Sequence, residues 1–213
     1  MAKIKAGILS KVSGKVAGVV GGTWKGTNYL RELVKPANPN TALQQAQRSL
    51  MKATVRCART LTGDVFKPFL DKFLKNMSGY NWFVKNNIKK FNGTDNALAS
   101  ALVFSTGNMQ TGSAEFGLSL AGVAIATGDS VPAVASGHKL ITIGIIYDDT
   151  KGIAIVKTAN DIGANENVLG SDDWGDVAQG DKVYLGLFFA DEDANGVIQA
   201  ISSSLAQFGT VTA

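Results

Sequence analysis

The polar and apolar positions of this chain change their period twice. Residues 12–33 alternate small or apolar side chains with polar ones, the two-residue period typical of β-strands. Between residues 42 and 91 the apolar positions recur every three to four residues, as in amphipathic helices. From residue 93 onward, short β-branched runs separated by Gly, Asn and Asp return to a strand pattern. The predicted fold class is therefore α+β, with one domain at residues 1–92 and a second at 93–213.

Glycines dominate the first predicted strands. Gly21-Gly22 lies at the centre of the alternating segment, and a Gly-Gly pair can adopt the positive φ angles of a tight primed turn. We therefore predict a Gly-rich β-hairpin that turns at this pair. Glycines within its strands make room for a bulky ring, and the nearby aromatic side chains are the candidates. The predicted subunit-contact surface consists of Trp24, Lys25, Tyr29 and Arg31.

Three amphipathic helices are predicted next. The first spans Ala42–Leu61, the second begins at Asp64, and the third spans Tyr80–Phe91. On the first helix the polar side opposite the apolar stripe carries four cations, which repel one another unless an anion lies alongside. We call these four the basic ridge and predict that they bind nucleic acid or an acidic partner. The basic ridge consists of Arg48, Lys52, Arg56 and Arg59.

The second predicted domain is a β-sandwich. Six short strands at regular spacing indicate an immunoglobulin-like arrangement in the broad sense. The predicted strands are Leu98–Phe104, Glu115–Ile125, Lys139–Tyr147, Ile153–Lys157, Val183–Ala190 and Val197–Ser204.

The two predicted domains carry opposite charges. Residues 1–92 contain 17 lysines and arginines against 3 carboxylates, a formal charge of +14. The remainder contains 4 lysines against 14 carboxylates, a formal charge of −10. This division indicates either a polyanionic partner for the front half or head-to-tail attraction between copies. A further alternative is that the halves face each other within one monomer.

Residues suited to catalysis are scarce. His138 is the single histidine, which excludes a three-histidine metal centre within one chain. Cys57 lies on an apolar helix stripe, whereas a nucleophilic thiol needs an exposed setting that favours the thiolate. Neither the Walker A motif nor the dinucleotide-binding glycine fingerprint occurs. We therefore predict that the protein is not an enzyme and uses no cofactor.

One pattern suggests a metal ion. Asp191, Asp193 and Asn195 reproduce the start of a calcium loop, although the twelfth position is Ser202 instead of the expected bidentate Glu. The same residues also meet the requirements of a hairpin turn between two strands. The sequence leaves both interpretations open.

The single cysteine favours a reducing cytosol, because no internal disulfide can form. The first residues lack a signal-peptide apolar run, and no segment has the roughly 18 uninterrupted apolar residues of a membrane-spanning helix. We expect no membrane partner.

A series of short motifs occurs near the N-terminus. The motifs are Ser13-Gly14-Lys15-Val16 with Gly18, Val19-Val20-Gly21, Trp24-Lys25-Gly26, Tyr29 with Arg31, Asn38-Pro39 with Thr41, and Gln44 with Gln47-Arg48. This series resembles an uncharacterised family of short proteins from Bacteroidota and their phages. The resemblance implies no reaction and no catalytic residues, and it implies a phage or prophage setting. Phage virion proteins often append an immunoglobulin-like domain to an assembly domain.

These observations favour a virion structural protein, a component of a capsid, tail or connector, assembled in the bacterial cytoplasm. Its expected partners are further copies of the chain or other virion proteins, together with non-specifically bound nucleic acid. One alternative is a nucleic-acid-binding protein that uses the basic ridge. Another is a surface adhesion module that uses the β-rich domain.

Overall fold

The structure, a computed structural model, describes residues 2–4, 13–35, 37, 39–91, 102–119, 122–170 and 178–211. These residues form twelve strands, two α-helices and a π-helical segment, so the mixed α+β class is confirmed. The chain divides into two compact units, residues 1–41 and 42–213. The helices therefore belong with the strands that follow them, whereas the sequence analysis grouped them with the N-terminal strands.

The first unit is a four-stranded antiparallel sheet. Its strands lie in the order β1, β4, β3, β2, so that β1 and β2 form the two edges. The four strands are β1 (Ala2–Ile4), β2 (Gly14–Val16), β3 (Val19–Trp24) and β4 (Thr27–Glu32).

The predicted turn at Gly21-Gly22 is wrong, because both glycines lie inside β3. The chain instead turns at residues 17–18 and at Lys25-Gly26, where φ is 46° and 77°. Two successive positive φ angles are what a tight primed hairpin turn requires. Gly22 serves another purpose, since a Cβ there would lie 2.9 Å from the Tyr29 hydroxyl. The sequence analysis expected the ring contact at Gly14, Gly18 or Gly26, but nothing lies within 4 Å of a Cβ at these positions, and the ring lies instead over a glycine predicted for the turn.

The second unit begins with the helices. Helix α1 spans Ala42–Leu61, as predicted. The predicted second helix is a π-helical segment, Thr62–Leu70, which follows α1 without a break. Helix α2 spans Gly79–Asn87 and ends one turn before the predicted residue. The Asn87 side chain there both donates to and accepts from the backbone of Val103, at 2.8 Å each way.

Only the second half of α1 is buried. Thr54, Cys57 and Leu61 of the predicted apolar stripe lie in the core, whereas Leu43 is 84% exposed. The first two turns of α1 are exposed throughout.

The strands of the second unit form two antiparallel sheets. In the larger sheet β8, β7 and β10 lie side by side, and the far edge of β10 pairs with both β11 and β12. The smaller sheet has the order β5, β6, β9. The larger sheet contains β7 (Lys139–Asp148), β8 (Ile153–Asn160), β10 (Lys182–Glu192), β11 (Ile198–Ile201) and β12 (Leu205–Thr210). The smaller contains β5 (Ala114–Ser119), β6 (Gly122–Thr127) and β9 (Asn167–Leu169).

Several strand predictions need correction. The segment predicted as one strand, Glu115–Ile125, is the antiparallel pair β5 and β6. Of the strand predicted at 98–104, residues 98–101 lie outside the described residues, and 102–104 form no strand. The pattern at Val197–Ser204 was assigned a single strand, but β11 ends at Ile201 and β12 follows.

The second unit has three layers. Strands β7 and β10 are buried on both faces, since each layer covers one set of alternate residues. Ile143 and Phe188 pack with the helices, whereas Ile146 and Leu187 pack with the small sheet. Two sheets therefore pack face to face, with helices on the outer side of the larger one. The immunoglobulin-like topology stays a prediction.

Candidate functional site

The N-terminal sheet presents two chemically different faces. Residues paired across antiparallel strands share a face, and alternate residues along a strand face opposite ways. One face carries Val16, Val19 and Leu30 together with the polar Thr23, Asn28 and Glu32, and we call it the apolar face after its exposed valines. Val16 is 61% exposed and Val19 is 40% exposed. Among residues 13–35, Gly21 is the only one that is buried.

The four residues predicted as a subunit contact lie at or beside the opposite face of the same sheet. Trp24 is 70% exposed, and the Lys25 ammonium lies 5.9 Å from the centre of its ring. Tyr29 is half-buried because its ring lies across Gly22, and Arg31 is exposed. The strand register thus brings together the four side chains that the sequence analysis selected.

All four residues of the basic ridge are exposed, but the Arg56 side chain is also engaged with the larger sheet. The Arg56 guanidinium donates hydrogen bonds to the carbonyl oxygens of Asp149 and Thr150 and to the Tyr147 hydroxyl. These acceptors lie at the turn between β7 and β8, where α1 packs on the sheet. Burial raises the pKa of the Asp149 carboxyl there, and Arg56 opposes that rise. Arg56 therefore links α1 to the β7–β8 turn through hydrogen bonds.

The other three ridge residues are exposed as well. Arg48 and Lys52 lie on the exposed part of α1, and Arg59 lies in its last turn. Lys52 and Arg59, the ridge residues on either side of Arg56, lie about two turns of helix apart, or roughly 10 Å. Arg56 keeps its charge, because its acceptors are neutral, but its hydrogen-bond donors are directed at the β7–β8 turn.

Of the residues predicted to bind calcium, Asp191 lies near the end of β10, and Asp193 and Asn195 lie in the turn between β10 and β11. One Asp193 oxygen accepts backbone hydrogen bonds from Asn195 and Val197, and the other accepts one from the Gln199 side chain. The hydrogen bond from Val197 is the main cause of a lowered pKa for Asp193. Asp191 lies 2.8 Å from the His138 ring. The arrangement agrees with a hairpin turn, in which both carboxylate oxygens of Asp193 already accept hydrogen bonds.

A family model described as a family of unknown function, DUF6266, matches residues 11–204. The chain belongs to this family. The matched segment runs across both compact units of the DUF6266 chain, so the family includes the N-terminal sheet and the three-layer unit together. No curated protein and no solved structure matches it. Membership of an uncharacterised family is confirmed, and the motif and the Bacteroidota or phage source stay predictions.

Cys57 of the DUF6266 chain is completely buried. Burial raises the pKa of its thiol well above the ordinary value, which suppresses the thiolate. The position of Cys57 on the buried stripe agrees with the packing role given to it from the sequence.

Two polar clusters in the DUF6266 chain were missed by sequence reasoning. The first is the pair of His138 and Asp191, which joins the start of β7 to the end of β10. The second joins Lys151 to Asp181 at 3.2 Å and to the buried Asp148 at 4.0 Å. A hydrogen bond from the Ala178 backbone lowers the pKa of Asp181. In the sequence Asp148 and Asp149 form an acidic pair typical of a solvated turn, whereas in the structure Asp148 is completely buried.

A groove of about 260 Å³ lies between the segment that follows the π-helical turn and β11. No titratable side chain lines it. It is lined by Phe73, Thr106, Gly107, Asn108, Gln199, Ala200 and Ile201.

Within the described residues, no three His, Cys, Asp or Glu side chains converge to hold a metal ion. No helix in that part of the chain combines the length and apolarity needed to cross a bilayer. The surfaces of the N-terminal sheet are therefore the candidate site with the most distinctive chemistry.

Proposed function

We propose that the chain is a non-enzymatic structural protein of a phage or prophage particle, a capsid, tail or connector component that self-assembles through its N-terminal half. The observation that supports this proposal is the uncovered apolar face of the N-terminal sheet. The immunoglobulin-like sandwich belongs to the same proposal and is supported by the face-to-face packing of the two sheets in the second unit.

The apolar face favours association because its side chains gain little from their own unit. Val16 is 61% exposed and Val19 is 40% exposed, although both lie on a sheet that needs a covered apolar face for stability. Covering apolar area is worth about 25 cal/mol for each Å² removed from water. A partner that covers this face therefore stabilises both the contact and the sheet.

The occupant we propose is a second copy of the chain. Residues 1–41 contain 7 lysines and arginines against 1 carboxylate, a formal charge of +6, and residues 42–213 contain 14 against 16, a formal charge of −2, so unlike units of two copies attract. In such a head-to-tail contact the apolar face of one copy is covered by the second unit of the next, without a separate partner. The four residues predicted as a subunit contact lie at the other face, and their role is taken up below.

The alternative function, nucleic-acid binding through the basic ridge, is weakened by Arg56. Its guanidinium is held by the carbonyls of Asp149 and Thr150 and is not free to contact phosphate.

Size-exclusion chromatography with light scattering, followed by electron microscopy, tests self-assembly. Nuclease-treated protein is measured in about 50 mM and about 1 M salt, where screening is weak and strong. We expect regular oligomers at low salt in the absence of nucleic acid. Val19→Lys should shift the population to monomers, because a charge on the apolar face opposes its burial.

Ile153→Lys is the matched control, since Ile153 is 51% exposed on β8 in the other unit. This variant should assemble like the unchanged protein. A single monomeric species at both salt concentrations would rule out the proposed function.

A further inference from the structure

The strand register collects cations and aromatic rings on one face of the N-terminal sheet. Lys15 and Arg31 are the cross-strand partners of Val20 from either side, so they share a row. Gly22 and Tyr29 form the next row along the strands. Trp24 follows two residues after Gly22 and therefore lies on the same face. With Lys25 at the adjoining turn, these side chains form what we call the basic face.

The contacts between side chains agree with this assignment. The Tyr29 hydroxyl lies 2.9 Å from where a Gly22 Cβ would be, which places that ring flat over the glycine. The Lys25 ammonium lies 5.9 Å from the Trp24 ring centre. Trp24 itself is 70% exposed, an unusual position for the largest apolar side chain.

The electrostatic sign of this face is uniform. Glu32 is the only acidic residue among positions 1–41, and it pairs with Val19 on the apolar face. Lys15, Lys25 and Arg31 therefore have no carboxylate beside them on their own face of the sheet. Positive potential and exposed aromatic surface occur together here.

We propose that the basic face binds single-stranded nucleic acid without sequence specificity. Cations neutralise phosphates, and exposed rings stack on bases, which is the combination that single strands require. Lys15 and Arg31 lie on strands separated by β3, hence roughly 10 Å apart across the sheet. Trp24 and Tyr29 are placed in adjacent rows along the strands, so that neighbouring bases can each meet a ring.

A single strand fits this face better than the other polyanions. Duplex DNA hides the faces of its bases, and an acidic polypeptide has no bases to stack. Either ligand would use the lysines and the arginine and leave the Trp24 indole without a role. The exposed indole therefore favours a single strand over duplex DNA and over an acidic polypeptide, whereas the positive charge alone would not distinguish these ligands.

This inference does not depend on self-assembly, because the proposed subunit contact uses the opposite face. Loss of oligomers in Val19→Lys with retained oligonucleotide binding would count against the assembly role alone. Retained oligomers with no oligonucleotide binding would count against the basic face alone.

Fluorescence anisotropy with a labelled oligothymidylate of about 16 nucleotides tests the proposal, using the full chain. Trp24→Ala should weaken binding about tenfold, since stacking on an exposed ring is lost. The double variant Lys15→Ala, Arg31→Ala should lower the slope of log affinity against log salt by about 1.4, because two phosphate contacts disappear.

The matched control is Lys52→Ala, Arg59→Ala, which removes the same two charges from the basic ridge of α1. It should bind the oligonucleotide like the unchanged protein. The proposal is overturned by equal affinity for the oligonucleotide and for polyglutamate, by unchanged binding in Trp24→Ala, or by loss of binding confined to the α1 control. Circular dichroism checks that each variant keeps its fold.

Discussion

Gly186 shows at the residue scale how tightly the second unit is packed. It lies in the middle of β10, and the ring of the fully buried Phe104 occupies the space where a side chain would be. Phe104 also packs against Phe83 of α2, with 6.0 Å between the ring centres. The missing side chain at Gly186 therefore allows a loop residue to join the helices to the sheet.

Gly186→Ala should lower the free energy of unfolding by about 1–3 kcal/mol, because the added methyl group overlaps the Phe104 ring in a filled core. Urea denaturation followed by circular dichroism measures the change. Gly117→Ala is the control, since its Cβ would meet the Ala124 Cβ at an ordinary 3.6 Å. The control should stay within about 0.5 kcal/mol of the unchanged protein. Equal stabilities for all three proteins would contradict the packing argument.

Arg56 determines at the scale of elements how α1 meets the larger sheet. Its side chain is a polar link between α1 and the β7–β8 turn, while Cys57 and Leu61 provide apolar contact beside it. The like-charged residues nearby on α1 have exposed side chains. Arg56 thus contacts the larger sheet, whereas the neighbouring lysine and arginines of α1 are placed on its exposed surface.

Arg56→Ala should destabilise the protein by about 1–2 kcal/mol, since charged hydrogen bonds to two carbonyls and a hydroxyl are lost at a partly exposed site. Arg59→Ala should change stability by less than about 0.5 kcal/mol. Thermal denaturation of both variants at equal salt provides the comparison. Equal losses in the two variants would show that Arg56 is an ordinary surface cation.

At the scale of the whole molecule, the two units differ in how their apolar residues are covered. Residues 42–213 contain the buried clusters that join the helices to one face of the larger sheet and the small sheet to its other face. Residues 13–35 bury a single glycine. The stability of the second unit therefore comes from its own core.

Removal of residues 1–41 should leave a fragment that unfolds cooperatively, with a melting temperature within about 5 °C of the main transition of the full chain. The fragment should also remain monomeric at low salt, because it lacks the apolar face. Scanning calorimetry and light scattering measure these two properties. A fragment that fails to fold would show that the N-terminal sheet is part of the core of the second unit.

The elements that could be predicted from the sequence are those whose stabilising interactions are local. The bounds of α1 and the positions of β7, β8 and β10 were predicted closely, because their periodicity extends over many residues. The hairpin turn was misplaced, because the Gly21-Gly22 pair meets the local requirements of a turn, whereas in the structure both glycines lie in β3 and Gly22 makes room for the Tyr29 ring. The subunit-contact residues share a surface, although Lys15 was missed because its place depends on the pairing of β2.

The sequence by itself determined the α+β class, the opposite charges of the two halves and the family. The tertiary structure decided that the helices belong with the sheets, that Arg56 fastens a turn, and that one face of the N-terminal sheet is apolar and the other basic. Periodicity and charge are properties of the chain read in order, whereas strand register and layer packing bring together residues that are distant along it. Those long-range pairings determine which side chains form a surface.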